Sequence, residues 1–156
     1  MALRTKTQHY AALIDSSRAT SIYSHLKDSV SWEEGVRSKS GFTRLAKAMQ
    51  LGDDQIIDEL IVDVMNQIRY EGVLLGIYLN YYKDGTHYTP NHSHPGTQQI
   101  IISLGTTRTL TVGKTKYSMA NGDVAIFGGS IHGVPKEPAV TQGRISVALF
   151  VTKSNN

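Results

Sequence analysis

The chain has 156 residues, a formal charge of +3 and a pI near 9.1, with 40% hydrophobic and 19% charged residues, so one hydrophobic core of ordinary size is expected. It contains no cysteine, which excludes disulfides, thiolate metal sites and cysteine nucleophiles together; any metal has to be held by His, Asp, Glu or water. The opening residues MALRTKTQHYAALIDSS hold no apolar run long enough for a signal peptide or membrane span, which with the missing thiols fits a reducing, cytoplasmic setting. The positive charge permits nucleic-acid contact, but no long basic block demands it.

Residues 1–71 read as a helical part of a single domain spanning 1–156. Ser16 or Ser17 caps a short helix through Ile22, Tyr23 and Leu26. Residues 32–41 are irregular, and a basic stretch runs from Arg37 to Lys47. Asp53 or Asp54 caps a second helix, where Ile56, Ile57, Leu60, Ile61, Val64, Met65 and Ile68 recur at helical spacing and mark one face as core. At Gly72 the pattern switches to β. Apolar runs cover 73–82, 98–104, 108–112, 115–119, 123–127 and 144–152, so 72–152 forms the β core. Gly113-Lys114 and Asn121-Gly122 suit tight hairpins, since Gly and Asn accept positive φ at low cost. Short strands behind two helices predict a mainly β barrel or sandwich covered by helices on one side.

Three histidines carry the chemistry. His92 and His94 are two apart, so on a strand they share a face. His132 follows 38 residues after His94, room for about three further strands to bring the chain back. It ends the run GDVAIFGGSIH, in which a tight turn, an apolar strand and a Gly-rich bend deliver a histidine to a barrel mouth. Two close imidazoles and a distant third suit iron, manganese, nickel or zinc. On the last run Arg144, Ser146, Ala148 and Phe150 share one face. A guanidinium beside two small residues leaves room for a carboxylate, which it can grip at two points. Asn80 and Tyr82 also share a face and are candidates for the same carboxylate.

The stretches LNYYKDG (79–85), HSH (92–94), ISLGTTRTL (102–110), GDV (122–124), HGVPK (132–136) and RISVALF (144–150) resemble the AlkB-like dioxygenases, which use Fe(II) and 2-oxoglutarate. The similarity runs from about residue 21 to 152 and implies a double-stranded β-helix. It also implies His92 and His132 as iron ligands, with Asn80, Tyr82 and Arg144 around the distal carboxylate of 2-oxoglutarate. In that family N-x-Y precedes an H-x-D ligand pair, and R-x5-R follows the distal histidine by about a dozen residues; Arg144 stands 12 after His132. Three positions depart from the pattern. His94 replaces the ligand aspartate, so the metal meets three neutral imidazoles. Phe150 replaces the second arginine, and Pro95-Gly96 replaces acidic residues that help read a base.

The same region is similar to the cupins, whose HxH pair, Glu and later His hold a metal; here Gln98 or Gln99 takes the Glu position. Fold and metal are common to both resemblances, but the cupin pattern gives no role to Asn80, Tyr82 or Arg144. The AlkB-like resemblance implies an O2-dependent enzyme that demethylates a modified base, flipped into the pocket from single-stranded nucleic acid or presented as a nucleotide. The lid then spans about residues 30–49. Arg37 and Arg44 meet phosphates there, and Trp32 or Phe42 stacks on the base. Rival functions are a metal-binding cupin acting on a small molecule without 2-oxoglutarate, and a non-catalytic binding protein.

Overall fold

The computed structural model describes residues 6–39 and 41–153. In chain order the elements are β1 (Gln8–Tyr10), α1 (Ser16–Ser29), β2 (Glu33–Glu34), β3 (Arg37–Ser38), β4 (Gly41–Phe42), β5 (Leu45–Met49), α2 (Gln55–Gln67), β6 (Leu74–Tyr82), β7 (Thr89–His92), β8 (Gln98–Gly105), β9 (Arg108–Val112), β10 (Thr115–Met119), β11 (Val124–Phe127), β12 (His132–Val134) and β13 (Arg144–Val151). A seven-stranded sheet has the order β1-β11-β8-β13-β6-β5-β2, and a four-stranded sheet the order β10-β9-β12-β7. Strands of both sheets pair antiparallel, as a double-stranded β-helix requires. No helix among the described residues is long and apolar enough to cross a membrane.

Period-two alternation assigns each strand face. On β13, Ile145, Val147, Leu149 and Val151 join Leu79 of β6 and Ile100, Ile102 and Leu104 of β8 beneath the helices. Into that layer α1 inserts Ala19, Ile22 and Leu26, and α2 inserts Ile57, Leu60, Ile61 and Val64. Each of the Ile, Leu and Val side chains contributes about 1.5–3 kcal/mol when fully buried. The opposite faces look into the space between the sheets, where Tyr82, Ile101, Leu110, Phe127, Val134 and Ala148 form a smaller cluster. Both faces of the large sheet are therefore covered, and this is why β8 and most of β13 are buried along their length.

The helices start on aspartates. Asp54 caps α2 by accepting from the Ile57 N–H at 3.0 Å, as expected. The α1 cap is Asp15, accepting from the Arg18 N–H at 3.0 Å, and not Ser16 or Ser17, which lie inside the helix. The helical reading of 1–71 holds for these two segments only. Between them β5 joins the large sheet along β6, so the expected lid is partly scaffold. The 113–114 turn is a hairpin, with Gly113 at φ +59° and Val112 opposite Thr115. Asn121-Gly122 instead carries the chain from β10 in the small sheet to β11 in the large one. Gly122 has φ +91°, and a Cβ there would stand 2.1 Å from the Ile14 carbonyl oxygen, so only glycine fits. Next to it, buried Asp123 accepts from the Ala12 and Ala120 N–H groups and pairs with His9 Nε2, all at 2.9–3.0 Å, which fastens the N-terminal segment beside β11.

Candidate metal centre and carboxylate pocket

A cavity of about 450 Å³ opens between the sheets, within the range that holds small ligands. Strand β6 turns Tyr78, Asn80 and Tyr82 into it, and β13 turns in Arg144, Ser146, Ala148 and Phe150. The registers pair Arg144 with Tyr82 and Ser146 with Asn80, so the arginine marks one end of the strand and Phe150 the other.

The three histidines meet at the Phe150 end. β12 and β7 are paired so that His132 lies opposite His92, and His94 sits just past the end of β7. A continuous strand is therefore not what brings the pair together, since the chain leaves the sheet after His92 and bends back. Four strands, β8 to β11, separate His94 from His132, one more than expected. The ligand nitrogens all lie within 4.8 Å of one another. Ring centroids are 4.3 Å apart for His92 and His132, and His94 lies edge-on to the Phe150 ring at 5.1 Å.

The tautomers are fixed from behind. His92 Nδ1 donates to the Pro90 carbonyl at 2.8 Å and His132 Nδ1 to the Ser130 carbonyl at 3.0 Å, so Nε2 is the unprotonated nitrogen of each; that of His132 has the Gln99 amide 3.2 Å away, a contact a metal would displace. Burial pushes the His132 pKa down to about 4, and burial followed by the neighbouring His92 lowers that of His94, so both rings favour the neutral form a metal needs. Three neutral nitrogens around one point fit a divalent ion that accepts imidazole, at about 2.0–2.1 Å per bond.

Two buried arginines stand over the Tyr82 ring, each 5.3 Å from its centroid, and their environments decide their roles. Arg108 is well engaged: with four of its five N–H groups it donates to the Asp84, His87 and Pro135 carbonyls and to Glu137. It ties the 83–88 loop to the 135–143 loop. Arg144, 1% exposed, donates Nε to Ser103 Oγ at 2.8 Å; Nη1 and Nη2 are buried without a partner among the described residues. Burial pulls its pKa down from the ordinary value. Two orphaned nitrogens on the fork edge of a guanidinium fit a carboxylate bound at two points, as the sequence suggests for this residue.

Asn80 and Tyr82 line the same cavity with their polar atoms already engaged. Tyr82 Oη bonds Thr89 Oγ1 at 2.6 Å, and Asn80 Oδ1 accepts from Arg44 Nε at 2.7 Å. Of the four residues expected to meet a substrate, only Arg44 lines the cavity. Trp32 packs on Tyr81 at 5.2 Å on the helix side of the large sheet, where its ring belongs to the core. Arg37 is exposed and pairs with Glu34, while Phe42 rests on His87 on the outer β3–β4 hairpin. The sequence gives helical-looking flanks to 30–49, so the β5 strand that separates Trp32 from Arg44 is not legible in it. Gln99 gains a sharper place than the sequence offers: 3% exposed, its amide lies 3.2 Å from His132 Nε2.

No family model matches the sequence, and no curated protein matches it. Solved structures do match in fold. HygX from Streptomyces hygroscopicus, solved with nickel and 2-oxoglutarate bound, is 10% identical, with a TM-score of 0.75 over 97% of this chain and 84% of that chain. The non-heme α-ketoglutarate-dependent carbocyclase SnoK of nogalamycin biosynthesis is 8% identical, with a TM-score of 0.75 over 94% of this chain and 79% of that chain. A collagen prolyl hydroxylase of Paramecium bursaria Chlorella virus-1, solved as a 2-oxoglutarate complex, is 10% identical, with a TM-score of 0.65 over 96% and 97% of the two chains. At such identities the likeness is one of architecture, and the chain shares the double-stranded β-helix of these enzymes.

Proposed function

We propose that this protein is an Fe(II)- and 2-oxoglutarate-dependent oxygenase. The carrying observation is Arg144, buried between the sheets with both terminal nitrogens unpartnered, in the same cavity as three converging imidazoles. In this reading His92, His94 and His132 hold the iron, and Arg144 receives the distal carboxylate. The Tyr82 ring and Ser103 hold the guanidinium in place. When bound, iron and 2-oxoglutarate couple decarboxylation of the keto acid, by O2, to succinate and CO2 with oxidation of a substrate held beside them. Apolar Ile101, Leu110 and Val134 keep the cavity wall dry, which strengthens every charge interaction inside it. With His94 in place of a carboxylate, the metal site carries one more positive charge than a two-histidine, one-carboxylate site.

The competing cupin reading uses the same histidines but leaves the orphaned guanidinium without a purpose. Within the oxygenase class, oxidation of a modified nucleobase is the second reading. It is favoured by exposed Arg37 and half-exposed Phe42 on a hairpin joined to the cavity wall through Val36 and Arg44. Calorimetry of Ni(II)-loaded protein, paired with succinate measurement on the Fe(II) form, tests the proposal. Wild type is expected to bind 2-oxoglutarate and form succinate. Arg144→Gln should weaken binding by roughly 30-fold or more, the scale of a buried charge-assisted contact. Absence of both binding and succinate in wild type refutes it.

A further inference from the structure

Arg44 is the second cationic group of the cavity, and nothing in the proposed oxygenase uses it. It lies between β4 and β5, and its backbone is clamped. The Gly35 N–H donates to the Arg44 carbonyl at 2.6 Å, Thr43 N–H to Val36, and Tyr88 N–H to Thr43. A Cβ on Gly35 would stand 2.6 Å from the Arg44 oxygen, so the close approach needs glycine. The residue is 7% exposed, its guanidinium giving Nε to Asn80 Oδ1 at 2.7 Å and Nη1 to Thr43 Oγ1 at 3.0 Å. Three of its five N–H groups have no acceptor among the described residues. Among the described residues it has no carboxylate within ion-pair reach, and no Asp or Glu lines the cavity.

The charge balance then decides. A divalent ion on three neutral imidazoles and two guanidiniums place four positive charges around the cavity, and 2-oxoglutarate returns two negative ones. A buried, uncompensated charge is costly, so a site built this way favours a further anion. Arg144 lies at the floor, 1% exposed, and its free fork is sufficient for one carboxylate; Arg44 comes from the lid side and keeps slight solvent contact.

We propose that Arg44 binds an acidic group of the primary substrate, a carboxylate or phosphate on a small molecule, while Arg144 holds the co-substrate. This inference rests on the oxygenase reading. Its test uses Ni(II)-loaded protein saturated with 2-oxoglutarate, titrated by ligand-observed NMR with benzoate against benzamide, and separately with inorganic phosphate. Wild type is expected to favour benzoate or phosphate over benzamide by about tenfold or more. Arg44→Gln should lose that preference while binding 2-oxoglutarate within about threefold of wild type, and Arg44→Lys should keep most of it, since the charge remains. Benzoate against phosphate distinguishes the two acid classes. A preference that persists in Arg44→Gln, or is absent in wild type, overturns the proposal and leaves the oxygenase reading standing. Loss of 2-oxoglutarate binding in Arg44→Gln as deep as in Arg144→Gln overturns it too, placing Arg44 on the co-substrate. Wild type that takes no 2-oxoglutarate overturns the oxygenase reading and this inference with it.

Discussion

Replacing Arg144 with methionine should make the ligand-free protein more stable and the ligand-bound protein relatively less so. The two buried, unpartnered nitrogens of Arg144 carry a desolvation penalty of about 1–3 kcal/mol each. The substitution gives up the Nε bond to Ser103 and the contact over Tyr82, together about 2–3 kcal/mol. Methionine fills most of the vacated volume without a charge, so a net gain of about 1–2 kcal/mol is expected, a rise of roughly 2–8 °C for a chain of this size. Saturation of metal-loaded wild type with 2-oxoglutarate at about a hundredfold above Kd adds about 2.7 kcal/mol, and none of this reaches Arg144→Met. Thermal unfolding of both proteins, with and without 2-oxoglutarate, should therefore cross over: the variant melts higher without it and lower with it. A variant that melts lower under both conditions would show that the buried guanidinium is already compensated, and the argument for an awaited carboxylate would fail.

His94→Ala should lose metal affinity by tenfold or more, on the order of what removal of a ligand or its support costs, while His94→Asp should bind Fe(II) at least as well as wild type. Succinate from wild type, Asp and Ala forms at equal iron occupancy then separates the cases. Activity lost in Ala alone makes the third imidazole a working ligand, and activity in Asp alone marks a dormant enzyme. At the other end of the molecule, burial raises the Asp54 pKa, but the Ile57 N–H and His25 outweigh it and hold the carboxyl below its ordinary 3.8. Its contribution to stability is therefore complete above that value and drains as pH falls through the lower, folded-state pKa. Asp54→Asn keeps a helix cap and should flatten this acid limb in urea titrations at pH 2–5, whereas Asp54→Ala should cost about 0.5–2 kcal/mol near neutrality. An acid limb unchanged in Asp54→Asn would assign the titration elsewhere.

Six of the eight strands after Gly72 were legible because alternation is local, β7 and β12 being the exceptions; the inward set Arg144, Ser146, Ala148 and Phe150 follows from period two alone. The histidines were picked out by their spacing, but the strand alternation argued for the pair does not extend past His92, since His94 lies beyond β7. What was not legible depends on partners distant in sequence. β5 is a five-residue strand, Leu-Ala-Lys-Ala-Met, with no β-branched residue; it is extended because β6 offers an open edge beside it. Trp32 reads as a stacking platform in a basic loop, yet the ring it packs against is Tyr81, beneath the helices. The sequence singles out Arg144, but it does not show that Arg108 is buried beside the same tyrosine and engaged by backbone carbonyls of two loops, while the terminal nitrogens of Arg144 have no partner among the described residues.

Strand β13 lies between β6 and β8, pairing along its full length with both, although it follows them in the chain by dozens of residues. The large sheet is therefore continuous only through its C-terminal strand: without β13, β6 and β8 would each present an open ladder across one strand width, ready to pair with any foreign extended segment. The same strand carries Arg144 into the cavity. Completion of the backbone ladder and placement of the buried guanidinium thus depend on one strand, and a chain lacking it would have neither.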